Sequence, residues 1–302
     1  MTDRTPSPTV AAVPAVPAVP AVPAASTVRA AVPALSFAPL TLPAGSVTLV
    51  GAGPGDPELL TLKALRAIRA ASVLLVDDLV GPEILRRARK SARIVRVGKR
   101  GGCRSTPQAL IEKMMIAQAR AGERVVRLKG GDPLVFGRGG EEAERLRAAG
   151  VRVEVLNGIS AGFAAANALG IALTHRAHAH GVVFVTGHAR SDAADDAPAG
   201  VHWPTLGAAA AHGLTLVIYM GVAQAAALQA GLLETLAPAT PVAVVQHASL
   251  PSERRLACRL DALVASLRRE EFGSPAIIIV GNVVQGLQAL TDHRPSGLEA
   301  AA

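Results

Sequence analysis

Short apolar runs at residues 47–50, 73–76, 93–97, 124–128 and 151–155 leave this chain few choices of architecture. Each is too short for a helix, is rich in Val, Leu and Ile, and is followed within three residues by glycine or aspartate. That pattern reads as a buried strand ending in a turn. Between the runs lie stretches with helical spacing, such as Leu59, Leu62, Leu65 and Ile68 after a Pro57 suited to a first helical turn capped by Asp56. A further helix is expected from Thr106–Pro107 to about Arg120, and another from about Glu141 to Ala149. Strands alternating with helices at this interval indicate the α/β class with a mainly parallel sheet. Ligands bind such a sheet beyond the carboxyl ends of its strands, so the loops there carry the functional content.

The loop after the fourth run is the richest, reading RLKGGDPLVFGRGGEE over positions 127–142. Glycine permits positive φ and lets a ligand approach bare backbone, so the Gly130-Gly131-Asp132-Pro133 turn is a candidate small-molecule seat as well as an ordinary αβ turn. Lys129 and Arg138 flank it with positive charge, and Asp132 is placed to accept hydrogen bonds from a ligand. The loop after the first run, GAGPGD at 51–56, approaches the dinucleotide fingerprint but carries Asp56 where its third glycine belongs, which disfavours a nicotinamide site. Asp77 and Asp78 end the second run, either as chemistry at a strand's carboxyl end or as turn residues. The third run ends in Gly98-Lys99-Arg100-Gly101-Gly102, again glycine with cations.

The second half, with runs at 182–186, 215–219, 242–245, 256–260 and 276–280, lacks long helices between its closing strands, and a partly antiparallel sheet is expected. An acidic loop at 191–200, with Asp192, Asp195 and Asp196, separates two of its elements. Residues 1–45 stand apart, because positions 12–23 repeat Val-Pro-Ala, which fixes φ every third residue and removes backbone donors. The expected division is a tail at 1–45, an N-terminal domain at 46–157, a C-terminal domain at 158–290 and a second tail at 291–302.

Charge and composition narrow the function. A net charge of +8 from scattered Lys and Arg suits a polyanionic substrate, while 2% aromatic content argues against base stacking with single-stranded nucleic acid. Cys103 and Cys258 form no CxxC pair, so neither a disulfide framework nor a thiolate metal site follows, and a reducing cytoplasm is the default. His175, His178 and His180 are close in sequence but lack a nearby carboxylate and helical i, i+4 spacing, so no metal is assigned. No apolar run is long enough to read as a membrane span.

Seven segments taken in order resemble the tetrapyrrole methylases: GAGPGDPELLTLKA, DDLV, VGKRGG, RLKGGDPLVFGRGGEE, GIALTHR, FVTGH and YMG. The resemblance runs from about Val47 to Leu290. Within the family it points to the first methylase of the corrin and sirohaem branch, in its stand-alone form. It implies a two-domain, cytoplasmic homodimer that takes methyl groups from S-adenosylmethionine in a cleft between the domains. It also implies methylation of two pyrrole carbons of uroporphyrinogen III to give precorrin-2, with no nucleic-acid or membrane partner. Carried onto matching positions, the cofactor contacts fall on Pro54, Gly130, Gly131, Asp132, Val135, Ser160, Ala161, Met220 and Ala248. The general base falls on Asp77 and the general acid on Lys99. Arg100, Arg104, Lys129, Arg138 and Arg176 are candidate partners for the substrate's carboxylates, since guanidinium meets carboxylate in a bidentate fork. The chain departs from the family pattern at Val76, Asn157, Ser160, Ala248-Ser249 and Glu253, and Ala248 puts a methyl group where the family has glycine. The alternatives are another corrin-pathway methyltransferase, a nicotinamide-dependent oxidoreductase and a non-catalytic tetrapyrrole carrier.

Overall fold

The structure is a computed structural model in which residues 42–98, 106–187 and 200–285 are described. Its first sheet is built from β1 (Ser46–Gly51), β2 (Val73–Val76), β3 (Arg93–Arg96), β4 (Arg124–Lys129) and β5 (Arg152–Leu156). All pairings are parallel, in the order β3-β2-β4-β1-β5. The period-two alternation of each strand sends Val50, Leu74, Val76, Val126 and Leu128 to one face, against Ala64, Ala67 and Ile68 of α1 (Leu62–Ala70) and Ile84 of α2 (Pro82–Leu85). Val47, Leu49, Val73, Leu75 and Val125 face the other way, onto Ile111 and Met115 of α3 (Gln108–Arg120) and Ala143 and Leu146 of α4 (Gly139–Ala148). With hydrophobic residues on both faces, the inner strands β1, β2 and β4 are buried on both sides, as a parallel sheet requires, while the edge strands β3 and β5 stay partly exposed.

The helix expected from Pro57 onward is divided. Asp56 caps a short 3-10 turn at Pro57–Leu59, and α1 starts afresh behind a Thr61 cap, its hydroxyl accepting from the Ala64 amide at 3.1 Å. The restart changes the helical phase, so Leu62 points outward at 61% exposure and small alanines face the sheet. The expected tail boundary also moves. Leu42 is 5% exposed in the α1 cluster, and the Gly45 amide donates to the Glu123 carbonyl at 3.1 Å, so the packed chain begins before residue 46.

After β5 the chain enters α5 (Ala161–Leu169) and a second sheet of β6 (Gly181–Thr186), β7 (Leu214–Tyr219), β8 (Pro241–Gln246), β9 (Arg254–Arg259) and β10 (Ala276–Val280), ordered β6-β7-β10-β8-β9. Only β6 and β7 pair in parallel; the others are antiparallel, which gives the expected mixed sheet. Helices α6 (Trp203–Ala211), α7 (Ala225–Leu233) and α8 (Leu263–Arg269) cover one face through Leu216, Ile218, Val244 and Ile278. The opposite face, with Val217, Tyr219, Val245 and Ile277, packs on the small-residue stripe of α5. Runs of alanine in α5 let that helix lie close to the sheet.

Candidate functional site

The strand order places the loops after β1 and β4 side by side, since the chain leaves these adjacent strands in opposite directions. This is a topological switch point, where open α/β sheets bind ligands. The two glycine loops pair directly, the Gly53 amide donating to the Gly131 carbonyl at 3.2 Å and the Gly131 amide returning to Gly53 at 2.7 Å. Gly53 and Gly131 have φ of +72° and +66°, the left-handed region that favours glycine. Gly158, just after β5, completes the junction. A Cβ on it would overlap the Gly131 carbonyl and come within 2.8 Å of the Gly51 backbone.

Asp132 is occupied in holding this junction rather than open to a ligand. Its carboxylate accepts from the Leu134 amide at 2.8 Å, the Gly158 amide at 3.1 Å and the Asn157 side chain at 3.3 Å, and it is 7% exposed. The rest of the central loop reaches the second sheet. Val135 packs on the α5 cluster, and the Phe136 ring lies 4.8 Å from that of Tyr219. Tyr219, at the end of β7, accepts from the Gly162 amide at 2.9 Å and shares a 2.7 Å bond with the Ser160 hydroxyl. Burial pushes the Tyr219 phenol further above its already alkaline ordinary value, so the O–H is intact at neutral pH with margin. Ser160 and Ala161, both expected cofactor contacts, are thus fixed at the start of α5 by a tyrosine on the neighbouring sheet. Replacing Tyr219 by Phe leaves the buried Gly162 amide unpaired. It is expected to lower stability by about 1–3 kcal/mol and to weaken S-adenosylhomocysteine binding, read by thermal unfolding and calorimetry.

The turn between β8 and β9 closes the site from the other side. The Ser249 hydroxyl accepts from the Asp56 amide at 3.1 Å, and the Glu253 carboxylate accepts from the Ser249 amide at 2.8 Å. Leu250 packs against Gly55, where any side chain would collide with it. Two departures from the family pattern, Ser249 and Glu253, therefore make one linked clasp on the first glycine loop. The methyl of Ala248 sits in the α5 cluster at 7% exposure. Pro54 is half-buried between Gly53 and Gly55, while Met220 stands 46% exposed. Phe136, Arg138, Met220, His247 and Ser249 all hold positive φ, at a cost on the order of 1 kcal/mol each. Strain of this kind gathers where surrounding structure fixes a binding surface.

Asp77 follows β2 and is tied down from within. Its backbone amide donates to the Leu128 carbonyl at 3.1 Å, and Oδ1 accepts from Arg127 Nη2 at 2.5 Å. Lys129 Nζ lies 3.6 Å from Asp77 Oδ2 and 3.1 Å from Glu142 Oε1. Lys129 is 3% exposed, so its charge meets these two carboxylates inside the protein rather than facing a substrate. Arg138 is exposed and paired with Glu141 at 2.6 Å, and Arg176 is exposed near the stacked rings of His175 and His178. Lys99, Arg100, Arg104 and Cys103 lie outside the described residues. β3 does lie beside β2 in register Val76↔Arg96, so residues 77 and 97 leave adjacent strands at the same edge. Among the described residues no His, Cys, Asp and Glu cluster could hold a metal ion, and no helix is long and apolar enough to cross a membrane.

Sequence inspection passed over Arg127, Glu142 and Tyr219 as site residues. The signals were an arginine inside a buried strand and a glutamate in the apolar stripe of α4 with Gly139, Ala143 and Leu146. Tyr219 carried a weaker one, as the sole tyrosine of an aromatic-poor chain.

This pairing of a parallel sheet and a mixed sheet, with glycine loops joined at the switch point, defines a two-sheet α/β protein with a small-molecule site. The family model for Tetrapyrrole (Corrin/Porphyrin) Methylases matches residues 46–264, and the chain belongs to that family. It is 52% identical over 244 residues to a uroporphyrinogen-III C-methyltransferase of Pseudomonas aeruginosa, covering 80% of this chain and 96% of that one. It is 46% identical over 242 residues to a siroheme synthase of Azotobacter vinelandii, covering 80% of this chain but 50% of that longer one. Among solved structures it is similar to the uroporphyrin-III C-methyl transferase of Thermus thermophilus complexed with S-adenyl homocysteine. There the TM-score is 0.66 at 40% identity, over 80% of this chain and 99% of the other.

Proposed function

We propose that this protein is an S-adenosylmethionine-dependent methyltransferase that methylates uroporphyrinogen III at two pyrrole carbons to give precorrin-2. The observation that carries this reading is the glycine junction of Gly51, Gly53, Gly131 and Gly158, tied to the α5 start and the β8–β9 turn. It stands in a chain 52% identical to a named uroporphyrinogen-III C-methyltransferase. The nicotinamide alternative loses its support, because the helix that would receive a pyrophosphate begins only at Leu62, beyond the 3-10 turn.

The residues present fit the methyl donor. A Cβ at Gly131 would meet only Ala161 N at 3.8 Å and Ser160 Cα at 3.9 Å, ordinary contact without overlap, so the bare backbone there faces the start of α5 uncrowded. Pro54, Gly130, Gly131, Val135, Ser160, Ala161 and Met220 would hold it, with Asp132 and Ala248 shaping the seat from below. The donor supplies a methyl group already activated on a sulfonium. What remains for the protein is to align the acceptor carbon, manage ring protons and neutralise carboxylates. Asp77 takes the ring proton as general base, and Lys99 acts as general acid. Arg138 and Arg176, with Arg100 and Arg104, meet the substrate's carboxylates.

The protein works as two α/β domains, the first from about residue 42 to 157 and the second over 158–290, in a cytoplasmic homodimer. Given methyl-labelled S-adenosylmethionine and uroporphyrinogen III under reducing conditions, it is expected to move label to the tetrapyrrole in a single turnover. Continued reaction should stop at two methyl groups per tetrapyrrole molecule. Binding of both compounds without transfer would sink the catalytic reading and leave a carrier.

A further inference from the structure

Behind Asp77 lies a set of ionised side chain types deeply buried in the α3–α4 face of the first sheet. Arg127 is 2% exposed, Lys129 3% and Glu142 0%, whereas the Asp77 side chain is 29% exposed. Two cationic and two acidic groups balance in formal charge. One guanidinium joins both carboxylates, with Arg127 Nε on Glu142 Oε1 at 3.2 Å and Nη2 on Asp77 Oδ1 at 2.5 Å. Glu142 Oε1 also receives Lys129 Nζ at 3.1 Å and Gln108 Nε2 at 2.9 Å, while Oε2 is buried without a partner. All the donors converge on one oxygen of Glu142, so its carboxylate anchors Arg127 and Lys129 from beneath.

A set like this is a poor device for stability. Taking each ion out of water carries a desolvation cost that its partners must offset, and well-packed apolar residues in its place are often neutral or stabilising. An unsatisfied buried oxygen adds to that cost. The arrangement makes sense as a means of orienting the one member that reaches the surface. Arg127 fixes Oδ1 through a planar fork whose other nitrogen is held by Glu142, so the guanidinium cannot swing without breaking that second bond. Oδ2 makes no hydrogen bond among the described residues, pairing with Lys129 Nζ only at 3.6 Å, and is the oxygen assigned to take the proton. We propose that Arg127 and Glu142 are positioning residues for methyl transfer, holding the Asp77 carboxylate in its productive orientation without touching substrate or cofactor. This rests on the reading of Asp77 as general base.

The test is a paired swap, Arg127→Met with Glu142→Gln, which removes one cation and one acid together and preserves volume. Expected is a fall in kcat of about 10- to 100-fold with KM for both substrates, S-adenosylhomocysteine affinity and thermal midpoint close to the parent. Introduced into Asp77→Asn, the same swap is expected to lower the rate no further, because groups acting as one unit are non-additive. A parental kcat in the swap, or an equal loss repeated in the Asp77→Asn background, overturns the proposal. If the swap does not fold, Arg127→Lys decides, since it keeps the charge but cannot bridge two carboxylates; a parental rate there also overturns it. Failure of both to fold makes the set structural and overturns it as well. A parental rate in Asp77→Asn alone is a different result, which removes the base assignment itself.

Discussion

Asp77→Asn is expected to lower turnover by about two to four orders of magnitude, the usual loss when a positioned general base is removed. The amide keeps the size and shape of the carboxylate, and its oxygen can still accept from Arg127 Nη2, where Oδ1 now accepts at 2.5 Å. What disappears is the capacity to take a proton. Folding should survive, since the side chain is 29% exposed and its backbone amide keeps its bond to Leu128. Binding of S-adenosylhomocysteine should change little, because the expected seat is formed by the glycine loops and the start of α5. Single-turnover rates and calorimetry on the same preparation separate the possibilities. A rate near the parent's would make Asp77 a turn residue, consistent with the 3.3 Å bond from the Val80 amide to its carbonyl. Loss of cofactor affinity in proportion to rate would make it a ligand.

The sheets were legible in the sequence because their signals are local. Buried strands of Val, Leu and Ile bounded by glycine set the strand positions to within a residue or two, and the lack of long helices between the last strands marked the mixed sheet. The division of the first helix was not legible in the same way. Asp56 and Thr61 are both good caps, and Asp56 and the preceding Gly55 are met by Ser249 and Leu250, nearly two hundred residues away, contacts that no local pattern carries. The site shows the same limit. Glycine spacing located the loops, yet not that Gly53, Gly131 and Gly158 meet at one junction, since that follows from strand order. Asp132 and Lys129 read as ligand-facing groups because charge beside glycine usually faces solvent. Their inward bonds to Gly158 and Glu142 are long-range contacts that no local pattern carries.

Gly131→Val is expected to abolish measurable S-adenosylhomocysteine binding while the protein still melts cooperatively. Two effects oppose each other at this position. The φ of +66° makes a β-branched residue strained by about 1–2 kcal/mol, but its Cβ would have no neighbour nearer than 3.8 Å, so that first side-chain atom displaces nothing. A strain of that size is small beside a stability of about 5–15 kcal/mol, and the fold wins. The valine methyls would then occupy the space beside Ser160 and Ala161 where bare backbone borders the seat. Gly158→Ala supplies the contrast. Its Cβ would strike the Gly131 carbonyl and come 2.8 Å from the Gly51 backbone, atoms that cannot move without parting β1, β4 and β5. There the melt itself should fall, by about 1–3 kcal/mol or more for overpacking, along with binding. If Gly131→Val bound S-adenosylhomocysteine normally in calorimetry, the seat would lie elsewhere. If it lost its cooperative melt as Gly158→Ala is expected to weaken it, the space at Gly131 would belong to packing and not to a ligand.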